Sequence, residues 1–484
     1  MANPLLFRSL LRDAPLANAS NQQGAAAFAF TPRHKLAQMV MTGCMNETFY
    51  ASGQAQLNDV LATAKDLDDL FLAQLAIYGR ERGMMKDMPA LLTAILAARG
   101  SALLPVVFTR VINNGRMLRN FVQMLRSGVT GRRSLGTRPK KLVQRWLQNA
   151  SEERLLQASV GNAPSLPEKT RALLAFREGD MGATLPDVSF LLLTNAPLSR
   201  EQWAQLAQRM SWQTLRMNLN TLARHDVFEN ATLAASVAQR LADRAQVRQS
   251  WVYPYQLLSA WSNLQSGVPQ VIREALAQAM EYALENIPPF RGNVVVCPDV
   301  SGSMKSSITG YRKGETSKIR CVDVAGLIAA AVLRNHPQAR VLPFECDVVD
   351  VRLDARQSVM HNAQKLAAVG GGGTNCSAPL RRLLNERARV DLVIMVSDNE
   401  SWVDKSRHGS TATMECWIEL KKRNPQARLV CIDLLPYGTT QAAERSDILN
   451  VGGFSDEVFT VIDNFVNGHY GSAHWLEEIE AVTL

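Results

Sequence analysis

The chain has 484 residues, of which 46% are hydrophobic and 20% charged, and a net charge of +9. That length exceeds one ordinary core, so two or three domains are expected, and the composition excludes a disordered or fibrous chain. Seven cysteines, odd in number, scattered and without a Cys-x-x-Cys pair, argue against a disulfide scaffold or zinc site and for a reducing, cytoplasmic setting.

Arg8, Arg12 and Asp13 interrupt the apolar start of the chain, which argues against a signal peptide. Residues 1–30 read as irregular, ending in an Ala-rich segment. From about 32 to 285 the pattern is helical: Leu61, Ala64, Leu67, Leu70, Phe71, Leu75 and Tyr78 follow a 3.6-residue period. Leu91 to Leu96, Phe121 with Leu125, Leu142 with Trp146, Leu233 to Leu241 and Val271 to Leu284 continue it. Short helices parted by turn residues, with no strand, imply a helical array, although no fixed sequence repeat accompanies them.

This half is basic. Residues 1–285 hold 31 Lys+Arg against 21 Asp+Glu, whereas residues 286–484 hold 22 against 23. From Met88 to Ser151 there is no acid, yet there are eleven cations, from Arg99 and Arg110 through Arg116, Arg119, Arg126, Arg132, Arg133, Arg138, Lys140 and Lys141 to Arg145. Such a stretch favours a polyanion, nucleic acid first, over a merely solvated basic face.

Pro288-Pro289 marks a boundary, giving domains 1–287 and 288–484. Beyond it, strands alternate with helices. Strands are expected at Val294–Cys297, Arg340–Phe344, Val349–Leu353 (antiparallel to the previous one), Asp391–Val396, Arg428–Leu434 and Val458–Thr460. Helices are expected at Ile319–Arg334, Gln357–Ala368, Cys376–Asn385, Met414–Arg423 and Trp475–Val482. Val324–Leu333, the longest membrane-like run, is about half the length of a spanning helix, so no membrane is expected. Alternation of this kind builds a doubly wound, mostly parallel sheet with ligands at the carboxyl ends of its strands.

Three loops at those ends carry hard oxygen donors suited to Mg²⁺ or another divalent cation. They are Asp299-Val300-Ser301-Gly302-Ser303, Gly370 to Asn375 with Thr374, and Ser397-Asp398-Asn399-Glu400. Asp299, Ser301, Ser303, Thr374 and Asp398 are the candidate metal set, the hydroxyls binding directly and the aspartates through water. A plain turn at Asp-Val-Ser-Gly-Ser and a phosphate-cradling glycine loop are the alternatives. The glycines lack the Lys-Ser/Thr of a P-loop, and no histidine stands near the serines in sequence, so no catalytic set is assigned.

Asp-x-Ser-x-Ser, then Thr, then Asp, in that order on an α/β sheet, resembles the metal-ion-dependent adhesion site of von Willebrand factor A domains. With the basic helical half before it, the chain resembles the Ro autoantigen family, in which a TROVE module joins such a domain. Carrying segments are Asn21-Gln22 with Gly24 and Phe30, then Leu36 to Gly43 with Thr48-Phe49-Tyr50, and Gly79-Arg80 with Lys86 and Pro89. Gly131-Arg132-Arg133 to Trp146, Arg248 to Trp261 with Tyr253-Pro254-Tyr255, and Val451 to Ser455 complete them.

The resemblance implies a ring of α-helical HEAT-like repeats closed by an α/β doubly wound A domain. It implies a monomer without catalysis of its own that binds a structured small, Y-like RNA and the single-stranded ends of misfolded RNA. It further implies a link through that RNA to a 3′ exonuclease, in RNA quality control. One departure concerns Gln148 to Val160, where the family's basic helix and histidines are absent. Arg132, Arg133, Arg138, Lys140 and Lys141 take their place as RNA-binding candidates, with Arg116 and Arg119 as lining candidates. Trp146 and Trp251 read as core. The competing reading is a protein-binding module whose metal captures an acidic partner side chain.

Overall fold

The computed structural model describes residues 14–43, 45–149, 198–250, 252, 254–311, 319–403, 409–455, 457–469 and 475–484, leaving aside the side chains of Arg116 and Asn286. Two compact units emerge, one combining residues 14–71 with 284–483 and the other spanning 72–283. The sequence boundary at 287/288 lies beside the return point at 283/284. The opening residues, however, pack with the C-terminal sheet rather than with the helices that follow them.

The first unit is built on a five-stranded parallel sheet in the order β4-β3-β5-β6-β8. The strands are β3 (Val294–Pro298), β4 (Arg340–Val341), β5 (Leu392–Ser397), β6 (Arg428–Asp433) and β8 (Ile448–Gly452). β3 and β5 are buried along their whole length, as apolar β-branched runs covered on both faces must be. On one face Val295, Cys297, Val393, Met395, Leu429 and Cys431 form a core with Leu380, Leu383, Met414, Trp417 and Leu420 of the helices Ala378–Asn385 and Ala412–Lys421. Cys321–Asn335 and Glu457–Val466 are further helices packed on this sheet. Chain order reverses at β3, whose neighbours are β4 and β5, so the crevice at its carboxyl end is a topological switch point.

The opening residues are not irregular. β1 (Ala19–Ser20) and β2 (Ala26–Ala29) form an antiparallel sheet completed by β7 (Thr439–Thr440). Helix α1 (Pro32–Thr42), capped by the Thr31 hydroxyl, packs beside β8. α2 (Gly53–Lys65) follows, capped by Ser52. The single helical period expected from Leu61 to Tyr78 is broken at Asp66–Asp68, where Asp68 accepts from the Phe71 N–H and opens α3 (Asp69–Glu81).

Two strand expectations also fail. Val349–Leu353 forms no strand; only an isolated Phe344–Val348 bridge is present. Val458–Thr460 lies within the Glu457–Val466 helix, which buries Val458, Phe459, Val461, Ile462 and Phe465 at helical spacing.

The second unit is helical throughout its described residues. α4 (Asp87–Arg99) is buried from Met88 to Ala97, an apolar helix that α5 (Leu104–Val111) and α6 (Gly115–Ser127) cover. Phe108 of α5 meets Phe121 of α6 edge-on at 5.2 Å. α7 (Thr137–Asn149) lies on this group more loosely, and Trp146 is half-buried there, its indole N–H donating to Ile112 O at 2.9 Å. Later helices begin at Ser199, Ser211, Asn230 and Asp243, whose side chains each accept an orphan first-turn N–H. Trp251 lies outside the described residues.

One device recurs in this unit. Arginine guanidiniums cap helix C-termini: Arg132 donates to Ala97 O, Arg138 to Gly100 O, and Arg240 to Ala207 O and Met210 O. A cation there satisfies orphan carbonyls and complements the negative end of the helix dipole.

Candidate metal centre and basic surface

β3 ends in a turn that brings the first oxygen donors together. Val396 O accepts from the Asp299 N–H, and Phe344 O accepts from the Val300 N–H, so the ladder holds this turn between β5 and the β4 edge. Asp299 Oδ1 accepts from the Ser301 N–H at 2.8 Å, and its Oδ2 accepts from the Ser397 hydroxyl at 2.6 Å. The Ser301 and Ser303 hydroxyl oxygens stand 3.3 Å apart. Gly302 donates its N–H to Gly372 O at 2.8 Å, which lays the glycine loop over the turn. Gly370, at φ +76°, sits so close to Val300 that a Cβ would collide with its carbonyl, which is why this contact needs glycine. Thr374 is buried, its carbonyl accepting from the Trp402 and Val403 N–H groups, so the second and third loops are joined as well.

Asp299, Asp398 and Glu400 are wholly inaccessible, and Asp433 nearly so. Among the described residues none of them has a cationic side-chain partner. Burial, then the nearby Asp398 charge, pushes the Asp299 carboxyl up to about 7. Burial also raises Asp398, and burial followed by Asp398 raises Glu400 to about 8. Asp433 moves upward for the same reasons, and its carboxylate accepts from the Asn399 side-chain amide. Asp398 Oδ2 and Glu400 Oε1 are buried without any hydrogen-bond partner. Acids concentrated in a dry pocket with orphaned oxygens are the arrangement a divalent cation would neutralise. The donors are hydroxyls and carboxylates, which suit a hard ion such as Mg²⁺. Among the described residues no group of three His, Cys, Asp or Glu side chains could hold a metal, so hydroxyls are integral to this set.

Sequence reading missed what covers the site. The Gln22 N–H donates to Glu400 Oε2 at 2.7 Å, and the Asn21 side-chain amide donates to Ser401 O at 2.6 Å. Tyr50 lies close to Ser303, and burial, then the Asp398 charge, pushes its hydroxyl up to about 12. The Tyr437 hydroxyl accepts from the Tyr50 N–H. Asn21, Gln22 and Tyr50 lie hundreds of residues before the ligand motifs, and although they fall in family-like segments nothing local marks them as a cover.

In the helical unit, Arg119, Arg133, Lys140 and Lys141 are exposed and carry no ion pair or side-chain hydrogen bond. Arg126 and Arg145, counted in the acid-free stretch but not named as RNA-binding candidates, share that state. A groove of about 580 Å³ between α6 and α7 is lined by Arg119, Arg126, Leu118, Val122, Val143 and Leu147. Arg132 and Arg138 are exposed too, but part of their donor set is engaged on α4 carbonyls. The backbone of Arg116 lies in the first turn of α6; its side chain is outside the description.

A parallel sheet covered on both faces, with Asp-x-Ser-x-Ser at the switch point, defines a von Willebrand A-type domain, here joined to a basic helical unit. Residues 293–466 match the Ro60 vWA domain, and residues 185–339 match the TROVE domain. The chain belongs to the Ro family. Its family-like segments from Asn21 to Trp146 lie upstream of the TROVE match. It is 26% identical over 273 residues to the RNA-binding protein RO60 of Deinococcus radiodurans, covering 54% of this chain and 49% of that protein. It is 22% identical over 247 residues to the RNA-binding protein RO60 of Caenorhabditis elegans, covering 48% of this chain and 36% of that protein. The chain thus spans about half or less of the curated relatives it matches. The crystal structure of the Deinococcus radiodurans RO (RSR) protein aligns with a TM-score of 0.58 at 20% identity, over 91% of this chain and 100% of that one, a likeness of fold.

Proposed function

We propose that this protein is an RNA-binding scaffold without catalysis of its own. The observation that carries the reading is the acid-free stretch from Met88 to Ser151, which presents unpaired cations on the surface of α6, α7 and the turn between them. Phosphates neutralised there would release counterions, the main driving force for binding a polyanion. The names of the two relatives support the same class of ligand. The finer reading is a structured, Y-like small RNA together with single-stranded ends of misfolded RNA, in RNA quality control, with a 3′ exonuclease recruited through the small RNA. The protein acts as a monomer in the reducing cytoplasm, a setting compatible with the free cysteines Cys297, Cys321, Cys376 and Cys431 buried in its core. The test is RNA affinity across a salt series; affinity indifferent to ionic strength refutes the reading.

Mg²⁺, or another divalent cation, belongs in this proposal as a structural ion. Ser301, Ser303 and Thr374 would hold it through hydroxyls, and Asp299 and Asp398 through water. Bound there, it supplies positive charge that balances the buried acids. Asp299 orients Ser301 and accepts from Ser397, while Glu400 ties the Gln22 backbone to the third loop. Capture of an acidic partner side chain is the second reading. The cover formed by Gln22 and Tyr50 favours the structural role, because such a side chain would have to displace it.

A further inference from the structure

A second cavity lies beside this cover, on the other side of Ser401. It has a volume of about 460 Å³ and is walled by Gln23 to Ala26, Ser401, Trp402, Gly409 to Ala412 and Gln441. Its floor is the N-terminus of the ten-residue Ala412–Lys421 helix. The Thr411 hydroxyl caps that helix by accepting from the Met414 N–H, and itself donates to Gln441 O. The N–H groups of Ala412 and Thr413 remain without a hydrogen bond among the described residues. Ser410, which lines the cavity, is only 1% exposed, and its hydroxyl has no partner. A wholly buried, unpartnered hydroxyl is costly, and in this place it stands beside the free Ala412 N–H at the floor of the cavity. The Trp402 indole stands at the rim, 46% exposed, backed against Gly373.

We propose that this cavity binds the phosphate group of a nucleotide, with the base laid on Trp402. Helix N-termini with free N–H groups hold anions through both hydrogen bonds and the helix dipole. The volume falls in the range of small-molecule sites, and an exposed indole face offers a base a stacking surface. The site lies outside the basic helical surface and uses none of the metal-set residues, so it stands or falls separately from the proposed function.

Isothermal titration of the full chain in EDTA, with inorganic phosphate and then adenosine 5′-monophosphate, tests it. Both should bind at one saturable site, the nucleotide more tightly. Ser410→Ala should weaken both by about tenfold, the loss of one hydrogen bond to a charged group. Trp402→Ala should erase the nucleotide's advantage and leave phosphate unchanged. Glu415→Gln, which removes the acid from the helix's first turn, should strengthen phosphate about two- to threefold, a gain that no folding defect produces. An RNA with a 5′-phosphate that competes with the mononucleotide identifies strand ends as the source; one that does not identifies the free nucleotide. Absence of saturable binding, or insensitivity to Ser410→Ala, overturns the proposal.

Discussion

The cations of the helical unit divide into two classes, and the division can be tested. Arg119, Arg133, Lys140 and Lys141 are exposed and unengaged, whereas Arg132 spends part of its guanidinium on the Ala97 carbonyl at the end of α4. On a single strand each neutralised phosphate contributes about 0.7 to the slope of log affinity against log salt. Changing the four free cations to alanine should flatten that slope by about 3. Between about 50 and 200 mM salt, the wild type should then lose about fiftyfold more affinity than the variant. Fluorescence anisotropy with a labelled single-stranded RNA over a salt series gives both slopes. Arg132→Ala should behave differently, lowering folding stability by about 1 kcal/mol in urea unfolding, with a smaller effect on the slope. An unchanged slope in the fourfold variant refutes the assignment of this face to RNA. A fourfold variant that loses stability while Arg132→Ala loses none refutes the division into two classes.

Three other outcomes are expected. Without metal, stability should fall as pH rises from about 4 to about 8, because Asp299 is held near 7 in the folded chain against 3.8 when free, and Glu400 near 8. The unfolded chain releases these protons first, so raising the pH favours unfolding through the buried acids. Thermal unfolding in EDTA across that range reads the loss, and added Mg²⁺ should reverse it at neutral pH; a flat profile contradicts the role given to the buried acids. Asp398→Asn should stabilise the metal-free chain at neutral pH and abolish its response to Mg²⁺, which paired melts with and without the ion will show. Gly370→Ala should destabilise the first unit by about 2 kcal/mol or more, since the new methyl meets Val300 and the backbone stands at positive φ; urea unfolding measures it.

Sequence reading succeeded where a signal is local. β3, β5 and β6 were legible because apolar, largely β-branched runs such as Val294–Val296 have few other uses. Asp299, Ser301 and Ser303 were legible because one turn holds them all. β8 was missed because Asn450 interrupts it, and that side chain makes sense only in context: it donates to Ala442 O and meets the Thr440 hydroxyl. The same gap displaced the expected strand onto Val458–Thr460, whose helical period becomes evident only when Ile462 and Phe465 are read with it. β1 and β2 are too short to carry a pattern and exist because β7 pairs with them from the far end of the chain. Tyr50 and Gln22 went unassigned for the same reason. Arg132 and Arg138 were read as RNA-binding candidates, since nothing in sequence tells a capping arginine from a free one.

Asn21 bonds to a residue 380 positions later, and between the two halves of the first unit the chain makes the whole helical unit. During synthesis the helical unit is complete before the strands that residues 14–71 require have left the ribosome. The early segment must therefore wait, with apolar Phe28, Leu36 and Val40 unburied, until β5, β7 and β8 arrive. The slowest step in making this protein is expected to be that late return. Emergence of β7 and β8, rather than of the opening residues, sets when the cover of the candidate metal centre can assemble.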